Sequence, residues 1–299
     1  MRKHAIIATV LAAVSCAPVA AQQDMSEVEI RAVQIKPGVA VLYGNGGNIG
    51  VSYGDDGTIL VDDQFAPLTE KIQAAVAGLG ASPTRFLINT HWHFDHAGGN
   101  ENFGRAGALI FAHDNVRVRL AAGGTVVGNF SPPAPPEALP VVTYGDGVTF
   151  HVNGDEVEAL FVGGGHTDGD SVIFWRKANV VHMGDMIMHN AGFPFIDLSS
   201  GGNVEHLLTS LARVIAMIDD ETVIIPGHGE LARRNDLIAF RAMVATAVER
   251  VRALKEGGST LEAAKAARPL AGLNNVSSGF ISDDQFVEAI WGSLEAHGH

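Results

Sequence analysis

The chain has 299 residues, 46% of them hydrophobic and 18% charged, and a formal net charge of −13. Such a composition supplies a sizeable core and excludes a disordered chain. The acidity argues against nucleic acid and against anionic membrane surfaces as partners, and no basic run offsets it.

The first residues, Met1-Arg2-Lys3-His4, are basic, and an apolar run from Ala5 to Val14 follows. Val19-Ala20-Ala21 then offers a small-residue cleavage site before Gln22. This order reads as a secretory signal peptide over residues 1–21, so the expected mature protein is exported, to the periplasm or beyond. The apolar run is too short to span a membrane stably. Cleavage would remove Arg2 and Lys3 and no acid, taking the formal charge to −15. It would also remove Cys16, the only cysteine, leaving no disulfide and no thiolate metal ligand. Residues 22–299 show no linker or repeat and are expected to form one domain.

Val39 to Tyr43, Ile49 to Tyr53 and Thr58 to Val61 read as strands joined by Gly- and Asn-rich turns, and Asp62-Asp63 closes the third. Leu68 to Leu79 has helical spacing and stops at Gly80. Phe86-Leu87-Ile88 is a short buried strand, and beyond it stands His91-Trp92-His93-Phe94-Asp95-His96. Imidazole and carboxylate groups this dense suit a borderline cation such as zinc. A strand at 109–112 and a helix at 114–120 lead into a Gly- and Pro-rich stretch, 123–140, that reads equally as a lid or as an idle insertion.

Strands at 148–152, 157–162, 171–175, 180–183 and 222–225 follow, then helices at 204–218, 236–255, 261–267 and 283–296. Three of these strands end in the same way. Glycines loosen the chain and one metal-grade residue appears: His166, Asp185 and His228. In layered α/β proteins such strand ends gather at one edge, where ligands bind.

The series H-x-H-x-D-H, Gly-Gly-His-Thr, Gly-Asp and Pro-Gly-His-Gly resembles the metallo-β-lactamase fold superfamily, from Val39 to about Arg252. The resemblance implies an α/β fold, a four-layer αβ/βα sandwich with two facing sheets and helices outside. It also implies two zinc ions per chain. His91, His93 and His166 would hold the first, Asp95, His96 and His228 the second, and Asp185 would bridge them. The implied chemistry is attack by metal-bound hydroxide on an acyl carbon, with Asp95 as the catalytic carboxylate.

Asp185 is similar to the bridging acid of lactonases and glyoxalase II-like thioesterases, whereas some true β-lactamases carry a Cys near this station. The expected activity is therefore hydrolysis of a cyclic or activated acyl bond in a small molecule, β-lactam cleavage included. A lactonase or thioesterase is the alternative. An iron oxidoreductase of the same fold and a non-catalytic zinc protein are the rivals outside that class.

Around the donors, Asp62 either accepts the second N–H of a ligand histidine or is a plain loop carboxylate. His189, Phe193 and Phe195 either wall a substrate pocket or only pack or solvate their loop. Ser199, Ser200, Asn190 and Asn203 are the neutral donors near Asp185, and no Lys or Arg lies between Lys177 and Arg213. Substrates without a carboxylate should then fare comparatively well. The oligomeric state is open.

Overall fold

The computed structural model describes residues 24–273 and 279–295. The leader 1–21 with Cys16, and the tail residues His297 and His299, lie outside the described residues. The chain opens with β1 (Arg31–Lys36), β2 (Val39–Tyr43), β3 (Ile49–Gly54) and β4 (Gly57–Val61), paired antiparallel in sequence order. Helix α1 (Thr69–Gly78) then crosses to β5 (Thr84–Ile88). Two short helices, α2 (Phe94–Ala97) and α3 (Asn100–Arg105), precede β6 (Leu109–His113) and α4 (Asp114–Ala122). A hairpin of β7 (Gly124–Val126) and β8 (Asn129–Ser131) stands apart before β9 (Val142–Tyr144) completes a seven-stranded sheet in the order β1-β2-β3-β4-β5-β6-β9.

A second sheet, in the order β10-β11-β12-β13-β15, contains β10 (Gly147–Val152), β11 (Asp155–Phe161), β12 (Ser171–Trp175), β13 (Val180–His182) and β15 (Val223–Ile225). A two-stranded pair, β14 (Met188–His189) with β16 (His228–Gly229), sits beside it. Helix α5 (Val204–Met217) joins its halves, and α6 (Arg234–Glu256), α7 (Leu261–Ala266) and α8 (Asp283–Glu295) close the described chain. None of the described helices is long and apolar enough to cross a membrane.

The layering follows from the two-residue period of the strands. Val39, Val41, Ile59, Val61 and Ile88 of the first sheet pack against Val157, Ile173, Trp175, Val180 and Ile225 of the second. Their neighbours Ala40, Leu42, Leu60 and Leu87 face the other way, onto Ile72 and Val76 of α1 and Phe103 of α3. On the far side Val172, Phe174, Val181 and Ile224 meet Leu207 and Leu211 of α5 and Val244 of α6. The order is helix, sheet, sheet, helix. Strands covered on both faces read as continuous apolar runs, which is why β2 to β5 are visible in the sequence.

Two strands of the main sheets escape that reading. β1 alternates exposed Ala32 and Gln34 with half-buried Val33 and Ile35, as an edge strand does. β9 has three residues and follows Pro140. The stretch 123–140 is also more ordered than a plain lid or insertion, since it carries the hairpin and a 3-10 turn at Pro136–Ala138.

Candidate metal centre

Parallel pairing puts the ends of β4, β5 and β6 on one edge, and those of β13 and β15 on the matching edge of the second sheet. Asp62 follows β4, His91 follows β5, Asp185 follows β13, and His228 follows β15. His166 reaches the same edge from the loop after β11, through Gly163, Gly164 and Gly165, all at positive φ. Glycine matters here for space as well as torsion. A Cβ on Gly165 would lie 2.6 Å from the Leu207 backbone. A Cβ on Gly47 would overlap the His96 ring, and one on Gly227 would overlap Asp185 Oδ1.

The seven side chains His91, His93, Asp95, His96, His166, Asp185 and His228 converge in overlapping groups whose ligand atoms lie within 4.8 Å of one another. These groups are His91, His93 and His166; His91, His96 and Asp185; and Asp95, His96 and His228. Asp185 stands between the two ends. Its Oδ2 is 3.7 Å from His166 Nε2, and its Oδ1 is 3.0 Å from His96 Nε2 and 3.5 Å from His228 Nε2. Asp95 Oδ2 lies 3.1 Å from His228 Nε2.

Each ring on the first-sheet side is fixed by its other nitrogen. His96 Nδ1 is 2.7 Å from Asp62 Oδ2. Asp62 also accepts from the Thr90 amide and hydroxyl, at 2.7 and 2.8 Å. His91 Nδ1 lies 2.9 Å from Thr90 Oγ1, and its Nε2 is buried with no hydrogen-bond partner. His93 Nε2 donates to Asp197 Oδ2 at 3.0 Å. His166 Nδ1 donates to the Phe195 carbonyl at 2.7 Å. With those donors committed, His93 Nδ1 and His166 Nε2 turn lone pairs toward each other, 2.9 Å apart. Opposed lone pairs and an orphaned imidazole nitrogen in a dry site are what a cation reconciles, so the donor set fits a metal.

The charge pattern agrees. Burial, then the neighbouring imidazoles His96, His166 and His93, hold His91 well below its ordinary range. Burial and then His93 bring His166 down to about 4. At the other end burial also works against charge on His228, but Asp185 and Asp95 outweigh it and lift the ring to about 9. Protons there take the place that metal charge would fill.

Three supporting residues carry no signal in the sequence. Burial disfavours an ionised Asp197, yet hydrogen bonds from His93, Ser199 and Ser200 hold it below the usual carboxylate range. Ser200 in turn accepts from Trp92 Nε1 at 3.0 Å. Asp170 accepts from the amides of His166 and Thr167 and from the Thr167 hydroxyl, and burial pushes it up to about 7. Thr90 ties Asp62 to His91. Asp197 lies 104 residues from the ring that it holds, so no local pattern announces it.

The pocket residues need correction. A cavity of about 440 Å³ opens on His93, Asp95, Asp185 and His228, and Phe195 lines it. Phe193 does not. It is fully buried and stacked on Phe286 of α8, with ring centres 4.8 Å apart. His189 is also absent from the lining, because its Nδ1 binds the carbonyls of Glu230 and Leu231. Ser199 and Ser200 are engaged by Asp197, Asn203 caps α5, and Asn190 contacts Glu230. The neutral amides at the cavity are Asn45 and Asn129, and no Lys or Arg is among the described residues lining it.

Two facing sheets with an array of His and Asp at their common edge define a metallo-hydrolase architecture. The sequence pattern of the metallo-beta-lactamase superfamily matches residues 42–228, and the chain belongs to that superfamily. A probable metallo-hydrolase, YqgX of Bacillus subtilis (strain 168), is 30% identical over 182 residues, covering 57% of this chain and 82% of its own. A metallo-beta-lactamase type 2 of Bacteroides fragilis is 27% identical over 154 residues, covering 51% of this chain and 55% of its own. The chain thus spans about half the length of that β-lactamase. The fold is similar to that of a metallo-beta-lactamase from Pontibacter korlensis, with a TM-score of 0.62 at 18% identity over 73% of this chain and 99% of the other.

Proposed function

We propose that this metallo-hydrolase holds two zinc ions and, after export, hydrolyses a cyclic or activated acyl bond in a small molecule. In this reading His91, His93 and His166 hold one ion, and Asp95, His96 and His228 hold the other. The observation that carries it is the position of Asp185, one oxygen turned to His166 and the other to His96 and His228. A carboxylate so placed would be able to serve two cations at once. The metal pair, when bound, supplies Lewis acidity that activates water and polarises a carbonyl.

The protein's own part is to aim and to move protons. Asp95 faces the cavity and is held by His228, so it can orient the attacking water and take its proton. The same carboxyl returns a proton to the leaving nitrogen, oxygen or sulfur as the acyl bond breaks. Thr90, Asp62 and Asp197 keep the imidazoles in one tautomer throughout. The mature chain has no cysteine, and no serine stands in a nucleophile-elbow pattern, so no covalent acyl-enzyme is part of this scheme.

β-Lactams and lactones are the substrate classes this reading favours, with thioesters next. The test is metal analysis of the purified chain together with turnover of a penicillin, a cephalosporin, a neutral lactone and a thioester. Two zinc ions and hydrolysis that a chelator abolishes are expected. Full zinc occupancy with no hydrolysis of any of them overturns the proposal, and iron at the site favours redox chemistry instead. Export is tested separately, by N-terminal sequencing that finds mature protein starting near Gln22.

A further inference from the structure

The tip of the β7–β8 hairpin is built from residues that its backbone does not favour. Val126 pairs with Asn129, so Val127 and Gly128 form a two-residue turn. Both have positive φ, 49° and 76°. Turns of that kind select Asn-Gly or Gly-Gly, because a branched Cβ at positive φ clashes with its own backbone. Valine is among the poorest residues for the position.

Packing does not explain it, since Val127 remains 40% exposed. The root of the hairpin is different. A Cβ on Gly124 would lie 3.0 Å from the Trp92 indole, in whose cluster Val126, the residue before the turn, is also buried. The root is thus anchored beside His93, while the strained tip lines the cavity over the donor residues. A strained residue without a structural reward points to use at the site.

What the tip meets is apolar. Phe65, Phe94 and Phe195 line the same cavity, and the ionisable side chains there are histidines and the two acids Asp95 and Asp185. No Lys or Arg is among the described residues lining it.

We propose that Val127 is a specificity-determining residue, the clamp for an apolar acyl chain, and that the preferred substrate is uncharged. This rests on the hydrolase reading above. For an ester the reaction is addition of water across the acyl carbon–oxygen bond, releasing a carboxylic acid and an alcohol. The acid ionises once formed and gives its proton to solvent.

The test uses the zinc-loaded chain and two readouts. One is kcat/KM for p-nitrophenyl acetate, butyrate and hexanoate, and for a butyrate analogue with a terminal carboxylate. The other is calorimetric binding of uncharged N-methyl amides of the same acids, which needs no turnover. The expected gain is about threefold per added methylene, and the carboxylate analogue should be about tenfold poorer than butyrate. Val127→Asn suits positive φ but offers a polar tip, and Val127→Gly removes the side chain altogether. Both should keep full zinc content and equal or higher Tm, yet flatten the chain-length dependence in both readouts.

Steep chain-length dependence in the two variants, or none in the parent chain, overturns the clamp and leaves the hydrolase reading standing. Graded amide affinities without any ester turnover do the reverse.

Discussion

The floor and the roof of the cavity are built on opposite plans. In the floor four ring nitrogens turned away from the candidate metal centre are tied to fixed partners: Asp62 for His96, Thr90 for His91, Asp197 for His93, and the Phe195 carbonyl for His166. The roof has few such ties. Val127 and Phe280 are exposed there, and the hairpin tip is strained rather than braced. The difference separates two tasks. Metal chemistry needs side chains held in one geometry, which polar networks supply. Acceptance of varied acyl groups needs apolar surface without fixed direction.

If the floor is the chemical half, damage there should dominate. Removing the metals with a chelator should abolish hydrolysis, and Asp185→Asn should lower kcat/KM by roughly a hundredfold or more, because the one carboxylate charge between His166 and His96 is lost. Unchanged metal content and rate in that variant would break the division. Phe193 and Phe195 give a second contrast from neighbouring positions. Phe193→Ala removes a core ring stacked on Phe286 and should cost about 3–5 kcal/mol of stability, read by denaturant titration. Phe195→Ala, at the cavity, should be far milder in the same titration and should raise KM instead.

The supporting acids sharpen the same comparison at smaller scale. Asp197→Ala and Asp62→Ala should each weaken metal binding by roughly 10- to 100-fold, measured by competition with a chromogenic chelator. Asp197→Asn should fall between Ala and the parent, since an amide keeps one acceptor for His93 but loses the charge. Equal metal affinity across the three Asp197 forms would show that the floor does not need its braces.

The converging His and Asp side chains were legible because they follow short apolar runs that read as strands, and because His and Asp at such ends have few structural uses. The pair of sheets was legible for a related reason. Strands such as β2 and β12, buried on both faces, read as unbroken apolar runs. Edge strand β1 and the three-residue β9 lacked that signature.

What the sequence by itself determined was the set of metal-grade residues, their order along the chain and the layered class of fold. Only the tertiary structure decided which side chains support them. Phe193 and Phe195 look alike in sequence, yet one enters the core and the other the cavity. His189 turns to two backbone carbonyls, and Asp197 reaches a ring on the other sheet's edge. In a strand, the two-residue period sets side-chain direction locally. In the loops after β13 and α4 no period operates. Direction is there fixed by torsions and by partners distant in sequence, and those exist only once the two sheets have met.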